Sequence, residues 1–293
     1  MDNTSTISPS VEIFQMVIYI PTFIFGLVFN LLALWMVFCR IKKWVEATTY
    51  VTALIVFDSL LLFTLPFKMT AYREGNEWSL GSSFCSFLEG LYFLNMYGSI
   101  LTSVCICVDR YIAIQYPFYA IILRSPKKAT FLCLFLFTLV WGITIWYLCK
   151  PQKNKRGPQC FYGFSVVIWM NVALIITLEL VFFISSILMT FCTAHITFTL
   201  KRKTQLDPSI SSARKSVRIL LGNLFIFLFA FGPFHLSLLL YYFVRNGIIS
   251  ADLKETMRVF IQVSLCLANT NCCLDGLFYY FVFKDFLHQP RTR

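Results

Sequence analysis

The chain has 293 residues, of which 58% are hydrophobic, 18% aromatic and only 13% charged, whereas about a quarter of a soluble domain is charged. That balance excludes a soluble globular fold and describes a polytopic membrane protein with one transmembrane domain and short loops. The formal charge of +11 would suggest nucleic acid in a soluble chain; here the bases cluster in loops between apolar runs, so no nucleic-acid partner is expected. Most of the 11 cysteines lie inside apolar runs, where cysteine acts as a small hydrophobe. Only Cys85, Cys149 and Cys160 fall near loops. No basic start or small-residue cleavage site marks a signal peptide, and no internal repeat of the transporter kind is visible.

The first 13 residues are short and acidic and carry an Asn3-Thr4-Ser5 glycosylation sequon, a weak sign by itself that this end is outside. Seven apolar spans follow within residues 14–283, forming one domain that covers 1–293. The first span, about 14–39, holds Gly26 and Asn30 and stops at Arg40, Lys42 and Lys43. The second, about 48–71, places Asp58 near mid-membrane and Lys68 about one turn inside the outer surface. The third is uncharged from Gly90 to Val108, which is 19 residues, close to the roughly 20 needed to cross about 30 Å of hydrocarbon. Cys85 and Arg110 stand about 37 Å apart along it. Its residues Tyr92, Asn95, Met96, Ser99, Ser103 and Arg110 recur at steps of three, four and seven. One polar stripe that lipid would not tolerate results, so this helix is the axis of a bundle.

The fourth span, about 129–148, contains Trp141, and a polar loop over 149–163 follows it. The fifth, about 164–200, is long enough to project into the cytosol. The sixth, about 216–244, is interrupted by Gly232-Pro233, and the seventh, about 255–283, contains Asn271, Asp275 and Tyr279. Residues 284–293 read as a short amphipathic eighth helix and tail. Of the 25 Lys and Arg, 16 fall in the loops after spans one, three and five and in the tail. The expected orientation therefore has the N-terminus outside and the C-terminus in the cytosol. The fold class is an all-α seven-helix membrane bundle.

Two intramembrane acids, Asp58 and Asp275, lie at similar depth to Asn95, Ser99 and Asn271. Neutral acids bonded within the bundle are the blander reading. A hydrated site for a small hard cation such as sodium is the sharper one, because every donor is oxygen-bearing. Asp109-Arg110 reads as an ion pair at the cytosolic boundary. Lys68 wants an anion, which Glu89 supplies in the empty state, or else an acidic ligand above an aromatic pocket of Tyr92, Phe93, Phe231 and Tyr241. His235, just past Pro233, is either a satisfied core histidine or part of that pocket. Cys85 and Cys160 both face the oxidising side and suit a disulfide, with Cys149 the competing partner. No zinc spacing, phosphate-cradling glycine loop or Ser/His/Asp set occurs, so neither an enzyme nor a cofactor is expected, the sodium ion aside.

Gly26…Asn30, Leu54…Asp58, Cys85, Asp109-Arg110-Tyr111, Trp141, Phe227…Pro233 and Asp275…Tyr279 follow one another over nearly the whole chain. In that order and spacing they resemble the rhodopsin-like G-protein-coupled receptors. The NCCLD run (271–275) and the stretch from Phe227 to His235 resemble the branch with nucleotide and lysophospholipid receptors. IPTF (20–23), LPFKM (65–69), LYF (91–93), MYGS (96–99), LRSP (123–126) and VRN (244–246) are similar to its receptors for lysophosphatidylinositol.

The resemblance implies a plasma-membrane receptor whose lysophospholipid binds between the outer halves of spans two, three, five, six and seven. Lys68 would hold the phosphate, with Glu89, Tyr92, Phe93, Met96, His235, Tyr241 and Arg245 around the ligand. Activation would swing span six outward at Pro233, with Phe227, Phe231 and Tyr279 as switch residues. Asp109, Arg110 and Tyr111 would then engage a G protein of the G12/13 or Gq class, and Phe118 would dock in a hydrophobic pocket of it. LALW (32–35) and NCCLD also resemble receptors for small aromatic acids such as kynurenic acid, with Gi or G13 coupling. A transporter or ion pathway relayed through Asp58 and Asp275 is the remote alternative.

Some positions depart from the family pattern. Gly276 stands in place of the usual proline, so span seven is expected to bend by glycine flexibility. Phe231 replaces a tryptophan, Ser186 a proline and Ala194 a tyrosine. Ala213 stands where some relatives carry an acid that locks Arg110, which implies basal activity.

Overall fold

The computed structural model describes residues 9–41, 44–73, 78–148, 160–161, 172–206 and 211–287. All regular structure among them is helical. In hydrocarbon every peptide group must find its hydrogen bond inside its own segment, and a helix achieves that. Helix α1 (Pro9–Trp35) ends in a π-helical turn, Met36–Ile41. Then come α2 (Glu46–Arg73), α3 (Ser82–Gln115), the short α4 (Pro117–Leu123) and α5 (Pro126–Leu148). Helices α6 (Val172–Leu206), α7 (Ser211–Arg245), α8 (Lys254–Asn269) and α9 (Asn271–Leu287) complete the bundle. Seven of the resulting segments are long and apolar enough to cross a membrane, the last spanning Ala251–Phe283.

Helices α1, α2, α5 and α7 begin two or more residues before their apolar runs do, because hydropathy marks the hydrocarbon and not the helix; the expected start of span five, about 164, lies outside the described residues. Ser10 and Glu12 in α1, Glu46 in α2 and Lys127 and Lys128 in α5 all belong to helical turns in the polar interface. The hydroxyls within the spans mostly bond back to their own helix. Thr52 donates to the Thr48 carbonyl, Thr102 to that of Gly98 and Ser186 to that of Phe182. Such groups are satisfied locally and say little about function.

Helix α3 is the axis, as its polar stripe requires. Its most apolar 18 residues are 72% buried, against 11% for α5 at the lipid boundary. It packs on α2, α5, α6 and α7 and carries α4 at its cytosolic end. Two features differ from expectation. Span seven is broken at Thr270, whose hydroxyl donates to the Leu267 carbonyl at 2.7 Å. Thr270 thus takes a carbonyl of the preceding turn, and it stands between Asn269 and Asn271, two residues of low helix propensity. The break is therefore not at Gly276. That glycine is a contact point instead, since a Cβ there would lie 2.9 Å from the Asn30 backbone nitrogen. It lets α9 press on α1, where Asn30 donates to the carbonyls of Gly26 (2.9 Å) and Cys272 (2.8 Å). Residues 284–287 are helical and continue span seven without interruption.

Candidate functional site

In the outer half, Lys68 of α2 is 2% exposed. Its Nζ lies over three rings: Tyr92 at 4.7 Å, Tyr19 at 4.8 Å and Phe161 at 5.9 Å. Phe161 is held there by its neighbour Cys160, which is bonded to Cys85 across 75 residues. The competing Cys149 and the sequon residue Asn3 lie outside the described residues. The expected Lys68–Glu89 ion pair is not formed: no carboxylate among the described residues is within ion-pair distance of Nζ, although Glu89 acts on it through space. Ring quadrupoles stand in for a counter-anion.

Amides adjoin the caging rings. Gln15 donates to Gln262 at 2.9 Å, Tyr92 donates to Asn269, and the Asn269 Nδ2 and Gln15 Oε1 make no hydrogen bond. Tyr19, Phe161, Gln15, Gln262 and Asn269 all escaped the sequence reading. The three amides were legible as uncharged polar residues within apolar runs. The two aromatics were not, because a caging ring and a packing ring have the same pattern. Tyr92, Met96 and Tyr241 are buried in the same core and Phe93 packs against it, while Arg245 is exposed at the outer end of α7.

His235 is not part of the lysine cage. Its Nδ1 sits 3.3 Å from Oε1 of Glu179 on α6, its ring stacks on Phe182 at 4.1 Å, and Tyr97 approaches it edge-on at 6.0 Å. Glu179 is the only formal charge from Val172 to Leu200. An intramembrane acid is a functional signal by default, and the sequence reading passed over it.

At the waist, Asn95 donates to the Phe57 carbonyl at 3.1 Å and to Asp58 at 3.4 Å, while Asn271 donates to Asp275 at 2.7 Å. The Asp58 Oδ2, Ser99 Oγ and Asn30 Oδ1 are buried without partners, and neither acid meets a base among the described residues. Orphaned oxygens on a carboxylate, a hydroxyl and an amide are donors of the kind a hard cation takes.

The cytosolic end departs most from expectation. Asp109 does not pair with Arg110, because successive helical residues point about 100° apart. Its two oxygens accept from Nε and Nη2 of Arg124 at 2.8 and 2.9 Å, and Arg124 also reaches Glu46 at 3.4 Å. The bond to Asp109 raises the Arg124 pKa further, so the guanidinium stays charged. Among the described residues no ion pair holds Arg110. Asp109, Arg124, Glu46 and Tyr50 border a cavity of about 320 Å³ floored by Val104 and Val108. Tyr111 lies against Tyr116, Phe191 and His195. Pro117 starts α4, which presents Phe118 at 84% exposure. Within the core, Phe182 stacks on Phe227 and Phe227 meets Phe231, one turn or less from Pro233. Tyr279 donates to Asn223 of α7 at 3.4 Å.

Comparison with known proteins agrees with this architecture. Residues 29–279 match the family described as 7 transmembrane receptor (rhodopsin family). The chain is 36% identical to G-protein coupled receptor 55 of Mus musculus, over 95% of this chain and 90% of that one. It is 33% identical to Lysophosphatidic acid receptor 6 of Homo sapiens, over 88% and 77% of the two chains. Against G-protein coupled receptor 35 of Homo sapiens the figures are 33%, 90% and 82%.

Proposed function

The chain belongs to the rhodopsin family of seven-transmembrane receptors, and on that premise we propose that its ligand is an acidic lysophospholipid, with lysophosphatidylinositol the first to test. As a member of the family it is a multi-pass plasma-membrane receptor, not an enzyme, that binds a ligand and couples to heterotrimeric G proteins. The observation that carries the ligand reading is the state of Lys68. A buried ammonium that rests on three rings and, among the described residues, meets no carboxylate at ion-pair distance is a standing site for an anion. The relatives named as lysophosphatidic acid receptors favour a lipid phosphate as that anion.

In this reading the headgroup takes Lys68, with Tyr92 and the surrounding amides as hydrogen-bonding neighbours. The acyl chain lies along Phe93, Met96, Phe231 and Tyr241, with Glu89, His235 and Arg245 at the margins. Ligand binding favours the state in which α7 swings out about Pro233, to the extent that the ligand prefers that state. Phe227, Phe231 and Tyr279 repack, and Asp109, Arg110, Tyr111 and Phe118 meet a Gα subunit of the G12/13 or Gq class. The N-terminus is outside and glycosylated at Asn3, and the C-terminus is cytosolic. A sodium ion sits among Asp58, Asn95, Ser99, Asn271 and Asp275.

A second reading, a small aromatic acid with Gi or G13 coupling, is favoured by the cage itself, since three rings around one cation suit a flat anion. The experiment compares G-protein nucleotide exchange in cells expressing the wild type and Lys68→Ala across lysophosphatidylinositol concentrations. A saturable wild-type response lost in the variant is expected. Silence at normal surface expression, followed by a response to kynurenic acid, would replace the first reading with the second.

A further inference from the structure

Tyr97 on α3, Glu179 on α6 and His235 on α7 are 5%, 6% and 0% exposed, and they converge where these three helices meet. Each keeps one buried polar atom with no hydrogen-bond partner: the Tyr97 hydroxyl, Glu179 Oε2 and His235 Nε2. A buried polar group without a partner is costly, and these three belong to one cluster, tied by the His235–Glu179 contact and the Tyr97 ring. The walls beside them are the rings of Phe182, stacked on His235, and Phe234.

The chemistry of the missing partner follows from these atoms. With Nδ1–H of His235 donating to Glu179 Oε1, Nε2 is left as an acceptor. Glu179 Oε2 is a second acceptor and the Tyr97 hydroxyl serves either way. The trio carries one negative charge and asks for at least two donors, so it repels an anion and gives an acyl chain nothing. Aromatic faces next to a carboxylate also suit an ammonium group.

We propose that Tyr97, Glu179 and His235 form a second recognition site, which takes a hydroxyl-rich or ammonium-bearing part of a ligand whose acid is held at Lys68. The proposal rests on the lysophospholipid reading and narrows it. Headgroups with donors beyond the phosphate, a polyol or an amine, are selected over a bare phosphate. Tyr97 stands five residues below Tyr92 on α3, a drop of about 7.5 Å and a turn of about 140°, so the cationic group lies above the anionic one and a ligand that meets both reaches around the face of α3.

The test uses three lysolipids with the same acyl chain: lysophosphatidylinositol, lysophosphatidylserine and lysophosphatidic acid. Nucleotide exchange is measured for wild type, Tyr97→Phe, Glu179→Gln and Lys68→Ala at matched surface expression. Glu179→Gln is expected to weaken the inositol or serine lipid at least tenfold and Tyr97→Phe several-fold, both leaving lysophosphatidic acid unchanged. Lys68→Ala is expected to silence all three. Equal losses for all three lipids in Glu179→Gln would mark a merely structural acid and overturn the proposal, as would no loss for any. If no lysolipid activates the wild type, the lysophospholipid reading fails by itself. The lower site is then judged by thermal unfolding of the purified receptor with millimolar myo-inositol or ethanolamine. Stabilisation of wild type but not Glu179→Gln upholds it, and stabilisation of neither overturns it.

Discussion

Arg124 shows how much one side chain outside the spans can decide. It makes two charge-assisted hydrogen bonds to a carboxylate whose side chain is 6% exposed, and such bonds are each worth about 1.5–3 kcal/mol. With Arg124 itself 22% exposed, solvent screening reduces the net value, and Arg124→Ala should cost about 1–3 kcal/mol. The loss would be seen as a lower unfolding temperature of the purified receptor. Arg124→Lys should recover only part of it, because an ammonium cannot reproduce the two-pronged contact. The same clasp takes Asp109 away from Arg110, and Ala213 offers no acid in its place. Unliganded wild type should therefore turn over G protein faster than Arg110→Ala; equal rates would show that Arg110 is restrained by something other than an ion pair. The LRSP stretch was visible in the sequence as a likeness, but its arginine carried no role there. A loop residue's partner is set by how α4 folds back beneath α2 and α3, and no local pattern reports that.

Among the elements, α2 and α3 approach each other through a glycine whose purpose hydropathy cannot reveal. A Cβ at Gly98 would lie 2.3 Å from the Phe57 ring, which is 2% exposed and stacked on Phe137 at 5.9 Å. A rigid aromatic in that setting cannot yield as a flexible side chain would. Gly98→Ala should destabilise the receptor by about 1–3 kcal/mol, the usual range for overpacking. Thermal unfolding and surface expression would record it, and the double variant Gly98→Ala with Phe57→Leu should recover much of the loss. If the single variant unfolds at the wild-type temperature, α2 and α3 are not in contact at this depth. The seven spans were readable because hydrocarbon leaves long apolar runs as the only workable pattern. Their contacts were not, because Gly98, Gly276 and the Thr270 break depend on which helix lies opposite. The polar groups divided in the same way. Asp58, Lys68 and Asp275 stood out by charge. Gln15, Gln262 and Asn269 became a set only when α1 and α8 were brought beside α2.

At the scale of the whole molecule, the polar groups of the waist fasten helices to one another. Asn30 fastens α1 to α9, Asn95 links α3 to Asp58 of α2, and Asn271 holds Asp275 within α9. A cation bound to the free oxygens of Asp58 and Ser99 and to Asp275 would draw α2, α3 and α9 together. It would favour the arrangement seen here, in which Tyr279 of α9 bonds Asn223 of α7. On the activation proposed above, an agonist favours an outward α7, and the two would oppose each other. Linkage makes the opposition reciprocal: the factor by which sodium weakens the agonist is the factor by which the agonist weakens sodium. A coupling of 1–3 kcal/mol corresponds to roughly a 5–150-fold change in affinity. Replacing sodium chloride by choline chloride at constant ionic strength should therefore raise agonist affinity, and Asp58→Asn should abolish that salt effect. Constant ionic strength matters because Lys68 and the anionic ligand proposed for it would themselves be screened by salt. If affinity changes equally in wild type and Asp58→Asn, the effect belongs to the outer site, and the waist holds protons rather than a metal ion.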